Sequence, residues 1–356
     1  MAAPITRRLS NFILPRNNNV VHFFVCRTLL SDADIKLEGF QRQRIFITDL
    51  LGPAGKASLM NKLIDVKTPK EAKHICFGIA DFMHLAETNQ ELAELERVFK
   101  LISVHDDIEK SLTFGATLLR LYHHLGMPDR AYRLYKDPVC KVLLSDNTCH
   151  KVLMDLLYKH GQYQLVADVY TGLQNFNIDC VTLVFGAFYH INTPASCEAA
   201  ENLVKDLLQE YTLSKRALLY VVMLSLNQNK PDAALEMLKM FKADNLVLNV
   251  KLMCYAKLGQ IPDIFKGLDE AIKRANDMSR PLNTRLYSDT MRDVRQAINS
   301  SANQRHLQKF NKIEQELSSL GALSPQKVVF YVDRTIFGQR SNAKQSGKPG
   351  IMQAEQ

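Results

Sequence analysis

Two stretches of the chain repeat the same residue types at a constant offset. Gly126 and Gly161 lie 35 positions apart, and side chains match at six further positions with the same spacing. The six pairs are Leu118 with Leu153, Leu121 with Leu156, Tyr122 with Leu157, Ala131 with Val166, Leu134 with Val169, and Tyr135 with Tyr170. Self-similarity with a period of about 20 to 50 residues is the signature of a repeat architecture, so this feature restricts the fold most strongly.

Each unit is predicted to be a helix–turn–helix. The apolar positions between Leu118 and Leu125 have the i, i+3, i+4, i+7 spacing of one helix face. Gly126 is expected to end that helix in the left-handed conformation, and Pro128 suits the first turn of the next helix. One such pair cannot bury its apolar face alone, but stacked pairs can. The sequence therefore predicts an all-α fold, a right-handed superhelical solenoid of helix–turn–helix repeats.

The repeat pattern continues along the chain, but the later units match it less closely. Asn229 is predicted to take the glycine position in a fourth unit, and Gly259 to close a further helix. Residues 179–213 are predicted to form a degenerate unit with a longer turn over residues 193–196. Other helices are expected over residues 74–85, 91–102, 263–275 and 307–320. Residues 328–332 are the one strand-like run, which is interpreted as an extended C-terminal segment or a buried patch.

The resulting organisation has five segments. They are residues 1–31, a mitochondrial transit peptide; 32–69, an N-terminal cap; 70–278, the repeat array; 279–338, a C-terminal helical region; and 339–356, a disordered polar tail. The transit peptide is predicted because residues 1–31 contain four arginines and no acid. The alternative is a disordered basic N-terminus with no targeting function. Without these residues the net charge falls from +8 to +4, so much of the basicity need not belong to a nucleic-acid surface.

Composition and motifs exclude several classes of protein. The longest nearly unbroken apolar stretch, residues 217–226, is half the length of about 20 residues that a membrane-spanning helix needs. The seven cysteines never form CxxC, which argues against a disulfide scaffold and a cysteine-rich zinc module. Asp106 and Asp107 are adjacent and suit a loop cap better than a metal site. We expect no enzyme, no cofactor, no metal and no membrane insertion.

The unit resembles the pentatricopeptide repeat family. Its pattern is an apolar residue, a Leu three positions later, a Leu or Tyr directly after that Leu, and a Gly four positions further on. In the second helix, Ala or Val, Leu or Val, and Tyr follow. The tetratricopeptide signature Trp-x-x-Leu-Gly is absent. Order along the chain is also similar to animal mitochondrial members of the family. The stretches that carry this similarity are residues 29–32, 36–41, 145–146, 153–157, 161–163 and 226–229. The resemblance implies a protein of the mitochondrial matrix that acts in RNA maturation, supports the respiratory chain and has no catalytic residues.

The resemblance also implies positions that face RNA. In the family, one residue early in the first helix of a unit faces a base, and a second lies at the junction with the next unit. Counted from the turns, these positions are Ala116, Lys151, Leu219 and Asn249, with Asn147 at a junction. Only the two asparagines fit the family pattern, and they do not form a pair, so a literal base code is not expected.

Three basic side chains are further candidates for RNA contact, and the base-contact candidates also have possible structural roles. Arg120, Lys215 and Arg216 are candidates for phosphate contacts. The structural alternatives are that Lys151 is solvated, that Asn249 caps a helix and that Asn147 begins one. Two functions follow: an RNA-binding solenoid whose partner is mitochondrial RNA, or a protein scaffold of a ribosomal or RNA-processing complex without RNA contact.

Overall fold

A computed structural model describes residues 29–104, 114–173, 177–277 and 284–333. The predicted tail, Asp106 and Asp107, and all but the last three residues of the predicted transit peptide lie outside the described residues. The first helices of the chain are α1 (Leu37–Asp65), α2 (Pro69–His74), α3 (Cys76–Leu85) and α4 (Asn89–Ser103). Helix α1 is broken at Gly52, whose φ of 60° and ψ of −175° are not helical.

Five helix pairs follow. They are α5 (Phe114–Leu125) with α6 (Pro128–Lys136), α8 (Asn147–Lys159) with α9 (Tyr163–Thr171), α10 (Ile178–Ile191) with α11 (Pro194–Leu208), α12 (Lys215–Asn227) with α13 (Pro231–Leu238), and α14 (Asn245–Leu258) with α15 (Ile261–Ala275). A 3-10 turn, Pro138–Cys140, and the short helix α7 (Lys141–Leu144) lie between the first two pairs. The predicted all-α solenoid of helix–turn–helix repeats is confirmed.

A residue in the left-handed conformation ends the first helix of every pair. These residues have φ values of 65° at Gly126, 71° at Gly161, 51° at Asn192, 56° at Asn229 and 67° at Gly259. Glycine and asparagine adopt this conformation at low cost, which is why they recur at the turn. The prediction that Asn229 takes the glycine position is confirmed.

The turn of the degenerate unit was predicted wrongly. Instead of a longer loop over residues 193–196, α10 runs to Ile191 and α11 begins at Pro194. The cause is a reciprocal cap: the Thr193 amide donates to Ser196 Oγ at 2.9 Å, and the Ser196 amide donates to Thr193 Oγ1 at 3.1 Å. A capping box of this kind satisfies two amides at a helix start, so no further turn residues are needed.

The first helices of the pairs form the inner row of the array. Helix α5 packs on α8, α8 on α10, and α10 on α12. Every residue of α12 from Ala217 to Leu226 is buried, as is every residue of α10 from Cys180 to Phe188. A helix that is apolar all round must be covered on all sides. Neighbouring first helices and second helices pack on α10 and α12, and segments from both ends of the chain also contact them.

The C-terminal region forms a second core against α14 and α15. It contains β1 (Leu286–Tyr287), α16 (Ser288–Ser300), α17 (Gln304–Ser319), β2 (Leu323–Ser324) and α18 (Val328–Val332). The two short strands are parallel, with Leu286 opposite Leu323. Among the described residues, no helix has the length and apolar character needed to cross a bilayer.

The prediction that residues 328–332 are strand-like was wrong, because they form α18. The Val328 amide donates to both carboxylate oxygens of Asp289, each at 3.1 Å. A distant carboxylate thus satisfies the first amide of the helix, in the role of a cap. A five-residue apolar run cannot be assigned to strand or helix from periodicity alone. The five predicted segment boundaries stay a prediction.

Candidate nucleic-acid interface

Three of the five positions at which a base contact was predicted are buried inside the protein. Ala116 in α5 and Leu219 in α12 each keep 2% of their surface exposed, and Asn249 in α14 keeps none. A base could reach these side chains only by displacing packed protein atoms. In the described conformation they offer no surface to an RNA.

Asn249 does not cap a helix, which corrects the structural alternative considered for it. Its amide nitrogen donates to the carbonyl oxygens of Asn245 at 2.8 Å and Arg285 at 2.9 Å. Its amide oxygen accepts from the Tyr287 amide at 2.9 Å. The side chain therefore fixes the backbone that enters β1. The signal in the sequence was a polar residue between apolar neighbours of a helix, since buried polar groups are normally hydrogen-bonded.

The two remaining base-contact candidates, Asn147 and Lys151, lie in the first half of α8. Asn147 is the first residue of the helix, as the structural alternative predicted, and Asp146 caps it by accepting from the Cys149 amide at 2.6 Å. Lys151 Nζ lies 3.2 Å from Asp179 Oδ2, and its side chain is 15% exposed. Lys151 is therefore not simply solvated, because its charge is matched by an acid of the next repeat.

The three candidates for phosphate contacts are also engaged within the chain. Arg120 is 9% exposed, and its Nε donates to the carbonyl oxygen of Ile35 at 2.8 Å. Arg216 donates to the carbonyl oxygen of Leu29 at 3.2 Å, and Lys215 forms an ion pair with Asp244. Burial lowers the pKa of Arg120 and that of Lys215. None of the three presents a free charge to an RNA in this conformation.

These arginines hold the N-terminal segment, residues 29–36, across the first helices. Leu29 is 3% exposed and Ile35 is 1% exposed. A Cβ atom on Gly186 of α10 would lie 3.1 Å from Leu29 Cδ1. The segment thus touches α5, α10 and α12, where an open solenoid would expose its inner face.

Helix α18 covers the adjoining part of the same face. It packs on α12, α14 and α16. Asp333, the residue after α18, accepts a hydrogen bond from the Tyr220 hydroxyl, and its other oxygen lies 3.7 Å from His190 Nε2. Burial and this carboxylate raise the pKa of Tyr220 well above its ordinary value, so the phenol stays protonated and donates. The chain's own ends therefore occupy much of the inner face.

An open cleft of about 900 Å³ remains beside α18. It lies between the C-terminal ends of α10, α12 and α14 on one side and α16 and α18 on the other. Its apolar lining includes Tyr189, Met223 and Met253, and its basic lining comprises Lys257, Arg292 and Lys327. Sequence reasoning missed the cleft because two of its walls are α16, which was not predicted, and α18, which was predicted as strand-like.

The buried histidine His123 serves packing between the first two helix pairs. His123 Nε2 lies 2.9 Å from Asp155 Oδ2, and this pair joins α5 to α8 with side chains that are 0% and 1% exposed. His160 is the residue that follows α8 and ends the helix. In the ranges that the structure describes, no three His, Cys, Asp or Glu side chains are grouped so as to hold a metal ion.

Fold and inner face together define the class of this chain: it is a helical-repeat solenoid whose helix–turn–helix unit resembles the pentatricopeptide repeat. The chain is similar to mitochondrial pentatricopeptide repeat-containing protein 2. The protein of Xenopus laevis is 25% identical over 309 residues, which are 84% of this chain and 79% of the relative. The human protein is 25% identical over 276 residues, covering 74% and 69%. The Danio rerio protein is 24% identical over 230 residues, covering 60% and 58%.

These relatives confirm the resemblance that the repeat and the motifs indicated. No family model matches the chain. Every relative found carries the word mitochondrial in its name, and the predicted mitochondrial location is confirmed at that level.

Proposed function

We propose that this chain is a non-catalytic RNA-binding protein of the mitochondrial matrix. It acts in the processing and maturation of mitochondrial mRNA and thereby supports the respiratory chain. The observation that carries the proposal is the row of stacked first helices in an array that is similar to pentatricopeptide repeat proteins over most of its length. Repeats of this type bind single-stranded RNA through side chains of successive helical units.

Binding proceeds by contacts to phosphate and by stacking, without a base read by each repeat. The burial of Ala116, Leu219 and Asn249 supports this mode, because three of the four counted positions in the first helices have no free side chain. Proteins that bind single strands without a code combine a basic groove with aromatic platforms. Maturation then follows when the bound protein exposes or shields a cleavage site for a separate nuclease.

The test is ultraviolet crosslinking of the purified full chain in matrix extract, followed by sequencing of the attached RNA. A discrete transcript region should be recovered. Its affinity should fall as salt rises, with a slope of log K against log salt of about −0.7 for each phosphate contact. No crosslink above background would overturn the RNA-binding function.

A second candidate function is a protein scaffold of a ribosomal or RNA-processing complex. Specific observations favour it: the predicted basic contacts are paired inside the chain, and large apolar side chains are exposed on the N-terminal helices. Phe46 and Leu50 in α1 are 59% and 67% exposed, and Phe77 in α3 is 81% exposed. Exposed apolar side chains of this size commonly mark interaction surfaces when they form a patch.

The scaffold is tested by affinity purification from mitochondria with and without ribonuclease. If the chain is a scaffold, ribosomal or processing proteins remain bound after ribonuclease treatment, and Phe77→Ser releases them. The matched control is Phe241→Ser, at a partly buried phenylalanine beyond α13. If ribonuclease releases all partners, the scaffold function is excluded.

A further inference from the structure

Three cations from three separate elements line the cleft beside α18. Lys257 lies near the end of α14, Arg292 lies in α16, and Lys327 immediately precedes α18. They are far apart in the sequence, and the C-terminal region must fold onto the array to bring them together. None of the three is a position at which a base or phosphate contact was predicted from the repeat.

The carboxylates beside these cations are already engaged. Asp289 accepts from the backbone amides of Val328 at 3.1 Å and Thr290 at 3.0 Å. Asp293 accepts two hydrogen bonds from the Arg292 guanidinium, at 3.0 and 2.9 Å. The acids thus hold α18 and the guanidinium in place.

The two lysines of the cleft retain their charge for a ligand. Lys257 has a neutral partner, the amide oxygen of Asn229 at 3.2 Å. In the part of the chain that is described, no carboxylate forms an ion pair with Lys257 or Lys327. An anionic group that enters the cleft therefore meets two ammonium groups that form no ion pair with a described carboxylate, beside the Asp289 carboxylate and the Arg292–Asp293 pair.

The inner surface of the cleft suits a flat, partly apolar group. Met223 of α12 and Met253 of α14 supply flexible, polarisable thioethers. Tyr189 at the end of α10 is only partly buried and contributes an aromatic ring. The volume of about 900 Å³ lies within the range of about 300 to 1,000 Å³ that is typical of small-ligand sites.

We infer that this cleft binds a short segment of single-stranded RNA, with phosphate against Lys257 and Lys327 and a base against the methionines and Tyr189. The inference rests on the proposed RNA-binding function and locates its main contact. The array and the C-terminal region then form one site, in which α18 is a wall. Phosphate and base together are also the chemistry of a free nucleotide, and the experiment separates the two sources.

The first experiment compares two double variants of the full chain. Lys257→Glu with Lys327→Glu reverses both charges in the cleft. Lys239→Glu with Lys266→Glu makes the same change of charge at lysines that are 71% and 77% exposed, the first directly after α13 and the second in α15. Circular dichroism and thermal unfolding establish that both variants fold. Affinity is measured by fluorescence anisotropy with a labelled ten-nucleotide RNA from the crosslinked region, over a salt series.

The cleft variant should bind RNA at least about tenfold more weakly than the control, and its salt slope should be smaller by about 1.4, the loss of two phosphate contacts. Equal RNA affinity of the two variants would overturn the inference that RNA binds in the cleft, while the proposed RNA-binding function would stand. If the unaltered chain itself binds no RNA, the proposed function fails and the cleft inference fails with it. Competition by uridine monophosphate as strong as that by the ten-nucleotide RNA would assign the cleft to free nucleotides instead.

A second experiment needs no variant. The full chain is photo-crosslinked to RNA that contains 4-thiouridine, and the modified peptides are located by mass spectrometry. Adducts should fall on peptides that contain Tyr189, Met253 or Lys327. Adducts confined to α1, α3 or the second helices would overturn the inference.

Discussion

The Tyr220 hydroxyl donates a hydrogen bond to the Asp333 carboxylate, 113 residues further along the chain. This contact joins the middle of the fourth repeat to the residue that follows α18. Tyr220 is fully buried and the Asp333 side chain is 21% exposed, and the hydrogen bond between them holds α18 against the inner face. Helix α18, one wall of the cleft, is therefore anchored by the Tyr220–Asp333 pair, and no local sequence pattern predicts this contact.

Tyr220→Phe should loosen α18 without disturbing the repeats. A hydrogen bond to a charged group is worth about 1.5 to 3 kcal/mol, and its loss should appear as faster amide hydrogen exchange in residues 328–333. Tyr170→Phe is the control, because it removes a hydroxyl from a buried tyrosine of α9 that is far from α18 in the sequence. The same exchange rate in α18 for both variants would contradict the anchoring role.

A chain that begins at Ser31 should be less stable than one that begins at Arg27. Leu29 and Leu30 are 3% and 6% exposed, and burying a leucine contributes about 1.5 to 3 kcal/mol. Their removal also takes away the carbonyl that Arg216 binds. Urea unfolding should show a loss of about 3 to 6 kcal/mol in the free energy of unfolding. Equal urea midpoints would show that the N-terminal segment contributes no stability.

Gly115→Ala should destabilise the chain, whereas Gly39→Ala should not. A Cβ atom on Gly115 would lie 1.9 Å from the Leu143 carbonyl oxygen, so α5 and the residues of α7 would have to separate. A Cβ atom on Gly39 meets nothing within 4 Å. We expect a loss of about 3 kcal/mol for the first change and a gain of about 0.5 to 1 kcal/mol for the second, which removes a glycine from a helix. Thermal unfolding of both variants measures these changes. Equal effects on stability would contradict the close packing of Gly115 against the Leu143 carbonyl.

Stability should fall when the pH is lowered from 7 to 5, in part because of His84. Burial, and next the nearby Arg44 guanidinium, lower the pKa of His84 from 6.5 to about 4. The unfolded chain therefore takes up a proton as the pH falls below 6.5, whereas the folded chain does so only near 4. The stabilisation is full above pH 6.5 and is lost toward pH 4.

His84→Gln should weaken this pH dependence. The control is His74→Gln, at an exposed histidine of α2. Urea midpoints at pH 7 and pH 5 are compared for the three proteins. If His84→Gln and the unaltered chain lose the same stability between the two pH values, His84 is not one of the responsible groups.

The repeat itself was predictable because its signals are local. A glycine or asparagine follows each apolar helix face, and periodicity over a dozen residues is enough to place a helix. Asn192 has the same conformation as Gly126 and Asn229. It was missed because the adjoining Thr193–Ser196 box, a helix start, was taken for a loop.

The site was not predictable, because it depends on contacts between distant segments. The cleft needs Lys257, Arg292 and Lys327 in one place, and that placement follows from the packing of the C-terminal region. Likewise, no pattern near Asn249 shows that its partners are Arg285 and Tyr287. Positions counted from the turns assume an open inner face, and this chain covers that face with its own ends.

The contact between Arg216 and Leu29 spans 187 residues. In an ordinary solenoid each unit touches only its neighbours, so the array can melt from one end and its stability is a sum over adjacent units. Here the N-terminal segment bridges the first, third and fourth pairs and ties early and late units together. Unfolding of the fourth helix pair releases the N-terminal segment, and the first helix pair, which the segment covers, then becomes exposed to solvent. We therefore expect the array to unfold in one cooperative transition, and to complete its folding only after the fourth pair has been synthesised.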